Sequence, residues 1–248
     1  MLLVQQAAGA AIATAVILAA GEGAPNDRAI VFSVLAGIAG AIALGAFYRA
    51  LAVGTMSIVA PISASGVTLP VAVGIAGGDR PSALQAAGLA VTVLGVLLAS
   101  REVHEGEAPE GARRSIGLAL IAAVGFGAYF SLSDQAADES VLWLVLIARI
   151  AAIAVLTPIV LAARTSLRLS PRDGRALVFV GAVDLAATGL YGLANTEGLL
   201  SIVAVVGALY PVATVLLARF VLHERLRGAQ TAGVVLAFTG VAAVAAGG

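Results

Sequence analysis

The chain has 248 residues, 60% hydrophobic and 11% charged, and its fourteen basic residues balance fourteen acidic ones. Soluble domains carry about 25% charged and 45–50% apolar residues. The composition therefore excludes a water-soluble globule, which needs more polar surface than is present, and it excludes disorder. Every basic residue is Arg, none forms the clustered footprint that nucleic acid requires, and there is no Cys for disulfides, thiolate catalysis or Cys-ligated metal. A mean hydropathy of +1.05 points to a polytopic protein whose partner is the lipid bilayer.

A spanning helix needs roughly 20 mostly apolar residues. Runs of that kind are predicted at 1–21, 28–53, 57–77, 83–100, 115–134, 140–163, 175–197, 200–222 and 228–247. They are rich in Ala, Leu and Gly and lack the strict alternation of a barrel strand, so the expected fold class is all-α, a transmembrane helix bundle of about nine helices. The run 1–21 has no positively charged start and is longer than a typical signal core, so it reads as a retained helix. Tyr48 lies in the second run; Ser57, Ser63, Ser65, Thr68, Pro61 and Pro70 in the third; Arg149 in the sixth; Asp184, Tyr191 and Asn195 in the seventh; Ser201, Tyr210 and Pro211 in the eighth. Connectors are short and polar, the longest being 101–114 and 164–175. His104 and His223 fall in connectors without further ligands, so neither a metal site nor a cofactor is expected.

The sequence repeats itself. Ser57-Ile58-Val59-Ala60 recurs as Ser201-Ile202-Val203-Ala204, an offset of 144; Ala50 then matches Ala194 and Gly54 matches Gly198. After a slip to 145, Asp79-Arg80 matches Glu224-Arg225, Gln85-Ala86-Ala87-Gly88 matches Gln230-Thr231-Ala232-Gly233, and Gly95-Val96 matches Gly240-Val241. This ordered run of Ser, acid-Arg, Gln and Gly reads as a duplication, with a first copy at 1–100, a connector at 101–114 and a second copy at 115–248. The second copy holds five apolar runs and the first only four. Either a further helix precedes Met1 or nine spans suffice.

The stretch from Leu190-Tyr191 through Ser201-Ile202-Val203-Ala204, Tyr210-Pro211, Leu222-His223-Glu224-Arg225-Leu226, Gln230, Gly233 and Gly240-Val241 resembles the EamA domain, the five-helix unit of the drug/metabolite transporter superfamily. The first copy resembles it more loosely, with Asp79 and Pro81 in place of Glu and Leu. The resemblance implies a secondary transporter of two inverted five-helix repeats in the inner cell membrane. It further implies export of small metabolites or drugs through a central cavity between the repeats, driven by a proton or solute counter-gradient. Substrate sites in such folds lie near the midplane at the repeat interface.

Counting spans alternately, eleven Arg residues fall on one face, including those of 101–114 and 164–175, against Arg28 and Arg80 on the other. The positive-inside rule puts the richer face in the cytoplasm. Nine spans then leave the C-terminus outside, whereas the family resemblance implies both ends inside.

Arg149 and Asp184 are the two charges well inside predicted helices. Such charges are costly unless paired or hydrated, and these fall at similar depths on sequential antiparallel spans. The expectation is a pair facing the solute and ion pathway; the alternatives are a structural ion pair or an Arg149 that snorkels outward. Tyr48, Tyr191, Asn195, Ser57 and Ser201 are further pathway candidates; packing and helix-to-helix hydrogen bonding are the alternatives. Glu224 is expected to cap the last helix. An intramembrane enzyme is disfavoured, because no His or Cys lies inside a predicted helix and Asp184 has no acidic partner at its depth. A lipid-linked-solute flippase and a non-transporting scaffold remain as alternative functions.

Overall fold

A computed structural model describes residues 2–54, 56–99, 112–162, 171–207 and 228–247, with Leu209, Val212, Leu216 and Phe220 besides. Among them are ten α-helices and no strand: α1 Leu2–Ala20, α2 Asp27–Val53, α3 Met56–Ala64, α4 Thr68–Gly77, α5 Ala83–Ala99, α6 Ala112–Ala137, α7 Val141–Ala162, α8 Pro171–Glu197, α9 Leu200–Gly207 and α10 Gly228–Ala246. Six of these segments, in α1, α2, α6, α7, α8 and α10, are long and apolar enough to cross a membrane. Large apolar side chains such as Leu18, Leu161, Phe179 and Leu190 are two-thirds or more exposed, which water would penalise and lipid does not.

The third predicted span is not one continuous helix. A 3-10 turn at Ser65–Val67 separates α3 from α4. Pro70 has no N–H to offer the Gly66 carbonyl, which an α-helix would require. The Ser65 hydroxyl donates to the Ile62 carbonyl at 2.6 Å and the Thr68 hydroxyl to the Ser65 carbonyl at 2.8 Å, so side chains serve part of the interrupted ladder. In the second copy, near the matching place, the Leu209 N–H donates to the Val206 carbonyl at 3.2 Å, a bond three residues back along the chain.

The chain divides into two compact units, 1–41 with 129–197, and 42–128 with 198–248. This division cuts through α2 and α6 and differs from the boundaries of the sequence repeat.

In the first unit α1 packs on α7 and α8. Ala13, Ile17 and Leu146 form one buried cluster, Ala41, Ala152 and Leu156 a second, and Ala136, Ala137 and Leu144 a third. The connectors at one end are stitched together. Asn26 donates to Glu139 at 2.8 Å, Ser140 to Glu22 at 2.6 Å, and the Trp143 indole to the Gly23 carbonyl at 2.6 Å. Asn26 also accepts from the Ala29 N–H at 2.8 Å and Ser140 from the Trp143 N–H at 3.2 Å, so these residues start α2 and α7 as side-chain caps.

In the second unit α5 and α10 lie side by side along a glycine seam. A Cβ on Gly88 would stand 2.7 Å from the Gly240 carbonyl oxygen, and one on Gly95 would stand 2.7 Å from that of Gly233. Close approach of this kind is how helices associate in lipid, where apolar burial against apolar tails gives no drive. α5 begins with a reciprocal cap: Gln85 N–H donates to the Ser82 hydroxyl at 3.2 Å and Ser82 N–H to the Gln85 side chain at 2.8 Å. Asp79 accepts the Ser201 backbone N–H at 2.9 Å at the start of α9, and the Ser82 hydroxyl donates to the Gly247 carbonyl at 3.0 Å. In each unit the connectors that meet are those that alternating spans would put on one side of a membrane. The cap expected from Glu224 lies outside the described residues, as do Tyr210, Pro211 and both histidines.

Candidate functional site

The polar centre of the first unit is built on four helices. α7 supplies Arg149, eight residues from its start and so about 12 Å along the axis at 1.5 Å per residue. Arg149 faces the neighbouring helices and is only 5% exposed, whereas Ile150 beside it is 54% exposed. Its guanidinium is met from two sides: Nη2 donates to Asp184 Oδ2 of α8 at 2.9 Å, and Nη1 to Gln6 Oε1 of α1 at 2.7 Å. Nε has no hydrogen-bond partner among the described residues. The group fits because α1 has Gly9 beside it; a Cβ there would sit 2.7 Å from Nη1.

Asp184 is the open member of the pair, with its side chain 43% exposed against 5% for Arg149. Removing its charge would strand a buried cation, whereas the carboxylate itself keeps access to its surroundings. The asymmetry suits a carboxylate that exchanges partners around a fixed guanidinium.

α6 adds an aromatic wall. Tyr129 lies against Asp184, Arg149, Thr188 and Ser133. Its ring neighbours Phe130 at 5.5 Å between centroids, and Phe130 meets Tyr191 of α8 at 4.9 Å. Gly40 of α2 lets the Tyr129 ring approach, since a Cβ there would stand 3.1 Å from Cδ2. The Thr188 hydroxyl donates to the Asp184 carbonyl at 2.8 Å. One turn farther along α8, the buried Tyr191 hydroxyl lies against the buried side chain of Asn195.

Arg149, Asp184, Tyr191 and Asn195 therefore share one unit, and the first two share an ion pair. Ser201 and Tyr48 belong to the second unit. The Ser201 hydroxyl is buried without a partner, and Tyr48 is 50% exposed beside Phe47. Ser57 lies in α3, and its side chain is outside the described residues. Sequence reasoning passed over Gln6, Tyr129 and Thr188. Thr188 follows Asp184 by one helical turn, a signal present in the sequence; Gln6 and Tyr129 are brought in by tertiary packing alone. At the repeat offset of 144, Gln5 and Gly40 stand where Arg149 and Asp184 do, so the charged pair occurs in the second copy only.

A family model described as the EamA-like transporter family matches residues 113–246. No curated protein matches. A solved structure, titled only as the crystal structure of a protein, superposes with a TM-score of 0.83 at 18% identity, covering 98% of this chain and 87% of that chain. At that identity the likeness is one of fold.

Proposed function

The chain belongs to the EamA-like transporter family and is a multi-pass membrane protein; from the geometry of its polar centre we propose that it exports small metabolites or drugs across the inner cell membrane by a coupled, secondary mechanism. The observation that carries this reading is the setting of Arg149. A guanidinium 5% exposed at mid-depth is held by Gln6 of the first sequence repeat and Asp184 of the second. Asp184 stays open beside the buried guanidinium, which leaves its carboxylate within reach of a solute or a proton. The solute path accordingly runs where residues of the two repeats meet, along Arg149, Asp184, Tyr129 and Tyr191. A solute or proton that competes for Asp184 changes the charge matched to Arg149, and that change is the step coupling binding to movement. The repeat matches Gly88 to Gly233 and Gly95 to Gly240, so the contacts Gly88–Gly240 and Gly95–Gly233 are exchanged by it, which supports duplication with inverted topology.

The test is a panel of metabolites and drugs assayed in proteoliposomes under an imposed pH gradient. At least one compound is expected to move with wild-type protein and to stop moving with Asp184→Asn, folded protein being equal. Gradient-independent movement of every compound, or none with any, contradicts the reading.

A further inference from the structure

The inward face of α1 has one polar member. Gln6, Gly9, Ala13 and Ile17 follow one another at spacings of three, four and four residues, which puts them on one side of the helix. Ala13 and Ile17 are buried and cluster with Leu146 of α7. Gly9 gives the Arg149 guanidinium its room. Gln6, one turn nearer the start of α1, gives it an acceptor, since Nη1 donates to Gln6 Oε1 at 2.7 Å. A guanidinium carries donors only, so the amide serves it in one orientation, oxygen inward.

The two acceptors of Arg149 differ in what can happen to them. Asp184 Oδ2 takes Nη2 at 2.9 Å from a side chain that is 43% exposed. A carboxylate can be protonated or can turn to another cation. The Gln6 amide carries no charge and takes up no proton at physiological pH, so neither event releases it. A buried charge that loses its partner is uncompensated, and the long Arg stem would let the head swing toward water. A bond from Nη1 that persists while Nη2 is free opposes that swing. α1 is itself held close on the other side: a Cβ on Gly181 of α8 would stand 2.8 Å from the Gln5 carbonyl oxygen.

We propose that Gln6 is a positioning residue of this site: its amide retains the Arg149 guanidinium in place while Asp184 exchanges partners. The proposal rests on reading Asp184 as the carboxylate for which a solute or proton competes. Arg149 is then a fixed cation, and the pair is restored by the return of Asp184 alone. The charged and titratable groups facing the guanidinium are Asp184 of α8 and Tyr129 of α6, while α1 presents neutral Gln6.

The test is protection of Arg149 from phenylglyoxal, which adds to guanidinium groups that it reaches. Adducts at Arg149 are followed by peptide mass spectrometry in the whole chain and scaled to those at the other arginines. Asp184→Leu removes the exchangeable acceptor and keeps a side chain of similar bulk. With Gln6 in place, Arg149 in this variant is expected to stay close to its wild-type rate. Adding Gln6→Met should make it react at least roughly tenfold faster, the scale of losing one hydrogen bond to a charged group. Adding Gln6→Glu instead restores an acceptor and should restore protection. Adding Ile17→Ala loosens α1 on α7 farther along and should leave Arg149 protected. Gln6→Met on the wild-type background gives the same comparison where the double variant does not fold: Arg149 should react faster in it than in Ile17→Ala. Full exposure of Arg149 by Asp184→Leu alone, exposure in the Gln6→Glu variant, or equal rates for Gln6→Met and Ile17→Ala overturns the proposal. Any of these in a protein that transports strikes the hold alone. Protection by Gln6 in a protein that moves no compound strikes the transport reading and leaves the hold standing.

Discussion

Glycine serves opposite ends at Gly88 and Gly95 of the second unit and at Gly9 of the first, although Gly37 of the first unit also lies tight against backbone, at Ala148. In the second, Gly88 and Gly95 bring α5 so close to α10 that an added Cβ would strike carbonyl oxygens at 2.7 Å, and backbone cannot give way. In the first, Gly9 makes room for the Arg149 guanidinium, the far end of a long side chain, again at 2.7 Å. Small residues in lipid allow close approach; what is approached decides whether the result is a seam or a seat. The seam is apolar and reciprocal. The seat admits a charge, which is met by Asp184 and Gln6.

The comparison is sharpest at Gly95. Gly95→Leu should cost about 3 kcal/mol or more, the upper range for overpacking against groups that cannot move, and is expected to abolish folded protein in detergent as judged by size-exclusion chromatography. A Gly95→Leu protein of wild-type stability would remove the seam from the account. Next in size, Arg149→Gln gives up hydrogen bonds involving a charge, each worth about 1.5–3 kcal/mol, and should lower transport per folded protein by about tenfold or more. Gly9→Ala displaces a flexible side chain, so its stability change should stay within about 1 kcal/mol while transport falls several-fold. If Gly9→Ala instead destabilises as much as Gly95→Ala in thermal unfolding, the distinction between seam and seat collapses. Smallest, Ser82→Ala removes the cap of α5 and should cost about 1 kcal/mol in thermal unfolding with transport unchanged.

Much of this was legible in the chain because lipid imposes a length rule. Run lengths alone place α1, α2, α5, α6, α7, α8 and α10 within a few residues of where they lie. Depth arithmetic on sequential spans suffices to bring Arg149 to Asp184, since a charge in hydrocarbon needs a partner within reach. The break at Ser65–Val67 was only half legible: Pro70 signals a missing N–H, but hydroxyl groups of Ser65 and Thr68 decide that the ladder tightens to a 3-10 turn. Gln6 was not legible, because nothing local in α1 says that this helix lies across Arg149. Tyr129 was missed for the same reason, and the polar face of α8 was available in the spacing from Asp184 to Asn195 but is recognised only once burial is known.

The most direct measurement is a double-mutant comparison of transport, scaled to folded protein, for Asp184→Asn, Arg149→Gln and the two together. The account predicts that Asp184→Asn folds and does not transport, because an amide neither takes a proton nor meets Arg149 as an anion, and that adding Arg149→Gln does not bring transport back. Unchanged transport in both single variants, or recovery in the double one, would show the pair to be structural and contradict the account.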